Sequence, residues 1–305
     1  MNRLRRLLAN NTLRIIVMVV VVVGTFGVFG YYLATHPEVV QSITSLSLTT
    51  LILLTVGYLL TVVANGFVLS VSLRMLGKRV PFAENFALTG YSSVVNFFGP
   101  LQSGPGVRAA YLKKRHDVKL KDFFYVTVIF YGFFALINTA VIAIALLISQ
   151  LANPLVIFAI CLAAVILAAI AWFALQKNSK LKQVVKNMKL TSPYFWLIGL
   201  GAFALSLATT GIYFAELTHV SAAVSLWQTI IYTAAANLAL FVSLTPGAIG
   251  FRESFILITQ QLHGIPTETV ISASIIDRAF YVVFLLVLFV CLLLAGVRSR
   301  IGKSS

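Results

Sequence analysis

Charged residues are scarce in this sequence. They make up 10% of its 305 positions, and only eight of them are acidic. A soluble domain of this size carries roughly 25% charged residues. Hydrophobic residues make up 60% of the chain, and the mean hydropathy is +0.98. These proportions exclude an ordinary soluble domain and favour an all-α integral membrane protein, a polytopic helical bundle with lipid as its main solvent.

Motifs for metal binding and for nucleotide hydrolysis are also missing. The two cysteines, Cys161 and Cys291, lie inside apolar runs and provide neither a disulfide framework nor a metal-ligand spacing. The sequence contains no Walker loop and no nucleophile elbow. We therefore expect no metal and no cofactor, and nothing in these patterns positively indicates an enzyme.

The basic residues give a net charge of +15, but they lie in the gaps between apolar runs. Stretches 35–45, 150–153 and 218–225 contain no lysine or arginine. This alternation is typical of the positive-inside rule rather than of a nucleic-acid surface. It predicts a multi-pass protein of the cytoplasmic (plasma) membrane with both termini in the cytoplasm and no nucleic-acid partner.

Apolar runs of two kinds follow one another along the chain. Six are long enough to cross a hydrocarbon core: 13–34, 46–73, 122–149, 153–175, 193–217 and 268–297. Two further segments, 84–120 and 226–265, begin and end on the same side by the charge rule, the first inside and the second outside. We predict that both are re-entrant hairpins. Residues 226–245 are long enough to span alone, but the last basic cluster would then lie outside, against the rule.

This order predicts an inverted repeat within a single transmembrane domain, 1–305. Repeat one covers about 13–149 and repeat two about 153–297, with one hairpin in each. No soluble domain is expected on either side. Inverted repeats whose broken helices meet near the midplane are the architecture of secondary transporters.

A Gly-x-Arg motif with helix-breaking residues stands in each hairpin. The copies read Ser103-Gly104-Pro105-Gly106-Val107-Arg108 and Pro246-Gly247-Ala248-Ile249-Gly250-Phe251-Arg252-Glu253. The predicted helix breaks are Gly104, Pro105, Gly106, Pro246, Gly247 and Gly250. Broken backbone at membrane depth is tolerated only inside protein or beside a water-filled cavity. The motifs therefore indicate a site within the membrane.

Arginines beside these breaks are the candidate site residues. Arg252 is the leading one, because a guanidinium next to a new helix N-terminus is well suited to hold phosphate. Arg108 has the same setting, although it lies near a lysine cluster and snorkelling to the cytoplasmic interface is an alternative. Arg278 and Asp277 lie about 15 Å into the last span, and Glu253 follows Arg252.

Two roles for these five charged residues remain open and are compatible. They can bind a lipid headgroup, since their net charge of +1 suits an anion, or they can pair and lock the hairpins to the last span. Asn96, Gln102 and Asn237 are secondary polar candidates that cap broken helices or line a cavity. Asn65 and Asn138 are predicted to connect neighbouring helices.

The segment from Ser243 to Glu253, with Asp277-Arg278 and Gly106-Val107-Arg108, resembles the membrane region of the lysylphosphatidylglycerol synthase/flippase-like family. That family includes the flippase part of bacterial multiple-peptide-resistance proteins and related archaeal dolichol-glycosylation proteins. The resemblance implies a flippase or flippase-like transporter that moves or handles anionic, aminoacylated or polyprenyl-linked lipids. The matching positions are Pro246, Gly247, Gly250, Arg252, Glu253, Arg278, Gly106 and Arg108.

Two departures from the family pattern limit what the resemblance implies. Pro105 follows Gly104 where many relatives carry an acidic residue, which weakens the case for a cationic aminoacyl group. The soluble aminoacyl-transferase domain of full-length synthases is missing, so we do not expect lysyl transfer by this chain alone. A separate lipid-modifying enzyme is then a candidate partner. The alternatives are the membrane part of a lipid-modifying enzyme system and a non-transporting accessory protein of a cell-envelope complex.

Overall fold

Helices account for every regular element in the part of the chain that the computed structural model describes. That part comprises residues 44–98, 103–149, 192–242 and 251–301, with four further positions between 27 and 35. The helices are α1 Leu48–Met75, α2 Phe82–Phe98, α3 Gly104–His116, α4 Leu120–Ser149, α5 Pro193–Val220, α6 Leu226–Ala239, α7 Phe251–Ile258, α8 Gln260–His263 and α9 Thr267–Ile301. A 3₁₀ turn, Leu240–Val242, follows α6.

Four of these helices are long and apolar enough to cross a membrane: α1, α4, α5 and α9. They coincide with the predicted spans at 46–73, 122–149, 193–217 and 268–297. The predicted spans at 13–34 and 153–175 lie outside the described residues. The prediction of an all-helical protein with several apolar helices is therefore confirmed.

Local sequence signals explain where several helices begin. The Ser47 hydroxyl accepts a hydrogen bond from the backbone N–H of Thr50 at the start of α1. Ser192 caps α5 in the same way, and Pro193 occupies the first helical position, where its missing N–H costs nothing. Ser225 and Gln228 form a capping box at the start of α6.

Glycines bring α1 and α5 into close contact. A Cβ atom on Gly57 would lie 2.5 Å from Cγ1 of Ile212, and one on Gly201 would lie 2.5 Å from Cγ2 of Val68. The early part of α1 thus meets the late part of α5 and vice versa, so the two helices run antiparallel. Only residues without a side chain permit this approach.

These two contacts are related by a constant sequence offset. Gly57 and Gly201 lie 144 positions apart, and so do Val68 and Ile212. A shift by 144 positions therefore converts one contact into the other. A two-fold axis that exchanges the two helices has this effect.

The packing of the other helices follows the same exchange. α2 packs against α9 as α6 packs against α4, and α3 packs against α4 as α7 packs against α9. α4 runs parallel to α5, since Phe133 lies at Gly199 and Asn138 at Ser206. α9 runs parallel to α1, because Tyr58 contacts Phe280 while Val62, later in α1, belongs to one cluster with Leu288, later in α9.

Each motif segment is broken into two helices that pack on each other. In the first, α2 and α3 are neighbours, and in the second α6 and α7 are neighbours. Gly104 begins α3 against α2, where a Cβ atom would lie 2.7 Å from the carbonyl oxygen of Ser92. The predicted breaks Gly104, Pro105 and Gly106 thus stand at the first turn of a new helix.

Candidate functional site

A cavity of about 850 Å³ lies where the two motif segments meet the long helices. All of the described helices except α8 contribute to its wall. The sequence-predicted residues that line it are Asn96, Gly104, Pro105, Gly106, Arg108, Asn237, Arg252, Asp277 and Arg278. Gln102, Pro246, Gly247 and Gly250 lie outside the described residues.

Arg252 stands in the first turn of α7 and is held by two elements. Its Nη2 donates a hydrogen bond of 2.5 Å to Oδ2 of Asp277 on α9, and its Nη1 donates one of 3.0 Å to the Tyr213 hydroxyl on α5. Only 9% of Arg252 is exposed. A buried guanidinium needs such partners because desolvation of an unpaired charge is costly.

A second ion pair lies beside the first. Arg278 donates a hydrogen bond of 2.5 Å from Nη2 to Oε1 of Glu253, which also lies 3.4 Å from Nε of Arg252. The Tyr58 hydroxyl donates to Oδ1 of Asp277. The four charged groups sum to zero and join α7 to α9. They make the contacts that the pairing hypothesis describes, while both arginines still line the cavity.

Arg108 differs from the other two arginines in its partners. Its Nε donates a hydrogen bond of 2.6 Å to the Ser92 hydroxyl on α2. Among the described residues, no carboxylate oxygen lies within 4 Å of its guanidinium. The sequence shows a matching difference: the residue 25 positions after Arg108 is Phe133, whereas the residue 25 positions after Arg252 is Asp277.

The asparagines of the site take up two different roles. Asn96 accepts a hydrogen bond of 3.2 Å from the backbone N–H of Gly104 and so caps α3. Asn237 donates to Oδ1 of Asn138 at 2.9 Å and to Thr209 at 3.1 Å. The prediction that Asn138 connects helices agrees with this bond. Asn65 instead donates to the carbonyl of its own helix, at Thr61.

Glu216 is a buried acid of the site that was not predicted. It lies on α5 with 0% exposure, and neither carboxylate oxygen accepts a hydrogen bond from a donor in the described ranges, while the Asp277 carboxyl group lies within hydrogen-bonding reach. Asp277 and Arg252 are the charged groups that act on it. A single acidic residue within the apolar run 193–217 was the signal that could have found it.

A separate polar cluster surrounds Glu84 in the first turn of α2. Its Oε1 accepts hydrogen bonds from the Tyr111 hydroxyl at 2.6 Å and His116 Nε2 at 2.7 Å, and Arg115 Nε lies at 3.1 Å. Burial alone would raise the pKa of Glu84, but these bonds and positive charges lower it overall. Burial and the bond to Glu84 raise the pKa of Tyr111 to about 12.

The described residues contain no group of three or more histidine, cysteine, aspartate or glutamate side chains that could hold a metal ion. The polar side chains that line the cavity carry guanidinium, carboxyl, amide and hydroxyl groups. These groups can bind an anion, neutralise it and exchange a proton.

Fold and site together define a helical membrane protein with a cavity between its helices. The family model described as lysylphosphatidylglycerol synthase TM region matches residues 13–288, so the chain belongs to that family. The resemblance drawn from the Gly-x-Arg motifs is confirmed. No curated protein matches the chain.

Proposed function

We propose that this protein moves lipids with an anionic headgroup across the membrane, as a flippase or flippase-like transporter. The cavity is the headgroup site. The observation that carries the proposal is Arg108, a cation at the cavity wall whose described partner is the neutral Ser92. An arginine fork that lacks a carboxylate is suited to bind two oxygens of a phosphate.

The other charged residues determine the net charge of this site. Arg252 and Arg278 are matched by Asp277 and Glu253, so these four contribute no net charge. Arg108 then supplies one positive charge, which one phosphodiester would neutralise. Arg252 and Arg278 can give a bound headgroup further hydrogen bonds, while the two carboxylates orient them or meet a cationic group on the headgroup.

The proposed architecture is six spans and two re-entrant hairpins in an inverted repeat. The exchange of helix contacts at a 144-residue offset supports it, and Arg108 and Arg252 are separated by the same offset. The antiparallel α1 and α5 are then equivalent helices of the two repeats. We further propose the cytoplasmic membrane as location, with cytoplasmic termini, since the basic clusters favour it.

The proposed lipids are anionic or aminoacylated phospholipids and polyprenyl-linked lipids. Family membership favours lipids of this class. A separate lipid-modifying enzyme would supply the lipid. Alternating access would rock one repeat against the other about the cavity.

Reconstitution into liposomes tests the proposal. The liposomes would carry fluorescent phosphatidylglycerol, lysylphosphatidylglycerol or a polyprenyl-phosphate sugar, and a membrane-impermeant quencher would report transbilayer movement. We compare the wild type with Arg108→Gln, Arg108→Lys and Arg79→Gln. Arg79 is an exposed arginine in the loop between α1 and α2 and serves as the matched control.

We expect wild type and Arg79→Gln to move at least one of these lipids at similar rates. Loss of a charge-assisted hydrogen bond of about 1.5–3 kcal/mol should slow Arg108→Gln roughly 10- to 100-fold. Arg108→Lys should retain part of the rate because it keeps the charge. Absence of movement with every lipid, in folded wild-type protein, would overturn transport and favour an accessory or enzyme-associated role.

A further inference from the structure

We propose that Glu216 is a proton-binding site, and that its protonation favours binding of an anionic headgroup in the cavity. This inference rests on the proposed lipid transport and names the ion coupled to it. Proton and anion would then bind together, each raising the affinity for the other.

Burial of Glu216 is the first step of the argument. Its side chain has 0% exposure, and neither oxygen accepts a hydrogen bond from a donor among the residues that the structure describes. The polar group within hydrogen-bonding reach is the carboxyl group of Asp277. A buried carboxylate beside another carboxylate costs several kcal/mol relative to water. The neutral acid, which carries a proton, is therefore the form that this position accommodates.

The surroundings of Glu216 contain more acid than base. Asp277 already uses the guanidinium of Arg252, so an ionised Glu216 would have no cation of its own among the described residues. Two carboxylates beside one arginine favour retention of a proton on one of them.

The groups that face Glu216 are Tyr58 of α1, Tyr213 of α5, Tyr232 of α6, Arg252 of α7 and Asp277 of α9. α4 meets α5 through Phe133 and Asn138, neither of which titrates.

Asp277 connects Glu216 to the cavity. Asp277 lines the cavity wall, Glu216 is not among the lining residues, and the two carboxyl groups interact with each other. A proton can therefore move between the cavity and Glu216 through the Asp277 carboxylate. Each transfer breaks one O–H bond and forms another. The Tyr58 hydroxyl, which donates to Asp277, keeps that carboxylate oriented between the two.

The charge balance couples this proton to an anion. With Glu216 neutral, Arg108, Arg252 and Arg278 exceed Asp277 and Glu253 by one positive charge. With Glu216 ionised, the balance is zero and an incoming phosphodiester would leave a buried negative charge. Protonated Glu216 thus favours the anion, and the bound anion in turn favours the proton.

Binding of short-chain phosphatidylglycerol to the purified full chain tests this coupling. The affinity would be measured from mildly acidic to alkaline pH, because burial favours the protonated form of a carboxyl group. The phosphodiester itself does not titrate there. We compare the wild type with Glu216→Gln, which is permanently neutral, and with the matched control Glu268→Gln, an exposed acid in the first turn of α9.

We expect wild type and Glu268→Gln to lose about 10-fold in affinity as the pH rises through the titration of Glu216. Glu216→Gln should keep the affinity of the low-pH wild type throughout. A wild-type affinity that does not change with pH overturns the proposal. So does a Glu216→Gln variant with the pH dependence of the wild type.

Infrared difference spectroscopy gives a second measurement that does not need lipid. The wild type should show a protonated-carboxyl C=O band that shifts in D₂O, vanishes at alkaline pH and is missing in Glu216→Gln. If Glu216→Gln does not fold, the wild type alone tests the proposal. Its carboxyl C=O band must disappear at the pH at which its affinity for phosphatidylglycerol falls. Failure of the proposed function looks different: no variant binds the lipid at any pH, while the Glu216 band remains.

Discussion

Arg252 and Asp277 are joined by a 2.5 Å hydrogen bond between Nη2 and Oδ2, and this bond fixes the second motif segment to the last long helix. The two side chains are 11% and 9% exposed. Their partners Tyr213 and Tyr58 extend the contact to α5 and α1. One ion pair thereby connects four helices at the cavity wall.

Asp277→Asn should destabilise the protein strongly. It leaves Arg252 buried without its main carboxylate, and loss of one partner of a buried pair costs about 3–5 kcal/mol. The thermal unfolding midpoint in detergent, followed by tryptophan fluorescence, measures the effect. Glu268→Gln removes an exposed acid from the same helix and should leave the midpoint unchanged. Equal midpoints for the wild type and Asp277→Asn would show that the pair does not stabilise the fold.

Gly104→Ala should separate α3 from α2. The added methyl group would lie 2.7 Å from the Ser92 carbonyl oxygen and 3.0 Å from Cβ of Asn96, and such overpacking costs about 1–3 kcal/mol. Gly106→Ala is the matched control, because its methyl group would meet no atom within 4 Å. Unfolding midpoints should fall for Gly104→Ala alone. A similar loss in both variants would contradict the close packing at Gly104.

Acidification should weaken the contact between α2 and α3 through Glu84. Its pKa is lowered from 4.5 in the folded protein, so its contribution is complete above about pH 4.5 and is lost as the pH falls through the folded-state pKa. Glu84→Gln should cost about 1–2 kcal/mol near neutral pH. The free energy of unfolding would be measured as a function of pH for the wild type and for Glu84→Gln. The two values should become equal as the pH falls. A constant difference down to the acid limit would contradict the linkage.

Asn138→Leu should destabilise the junction of α4, α5 and α6. Oδ1 of Asn138 accepts from Ser206 at 3.0 Å and from Asn237 at 2.9 Å, and both donors would lose this acceptor. Interhelical bonds of this kind in membranes contribute about 0.6–1.7 kcal/mol. Asn65→Leu is the comparison, since Asn65 bonds to the carbonyl of its own helix. Unfolding midpoints should fall more for Asn138→Leu, and the reverse order would refute the network.

The long helices could be predicted from the sequence because a helix that crosses a bilayer needs an uninterrupted apolar run. The same holds for the break at Gly104, where glycine and proline interrupt such a run. These signals are local, so a single sequence carries them. The start of a new helix within five residues of each arginine, at Gly104 and at Phe251, follows from the same local pattern.

The partners of the arginines could not be read in the same way. Arg252 was the leading phosphate candidate, but it is held by Asp277, while Arg108 faces the cavity with Ser92. Which carboxylate meets which guanidinium depends on the rotation and depth of helices far apart in sequence. Glu216 was overlooked for a related reason: its burial against Asp277 arises only when α5 and α9 pack together.

The glycine contacts between α1 and α5 have a mechanical consequence. Gly57 and Val68 lie 11 positions apart, about 16 Å along α1, so the two contacts sit toward opposite ends of the crossing. A methyl group added at Gly57 would act as a wedge at one end, and one added at Gly201 as a wedge at the other. We expect Gly57→Ala and Gly201→Ala to tilt α1 against α5 in opposite directions. Chemical labelling of the cavity with reagents added to one side of the membrane or the other would detect the difference. Two small substitutions, separated by the 144-residue offset, would then hold the same molecule open toward opposite faces of the bilayer.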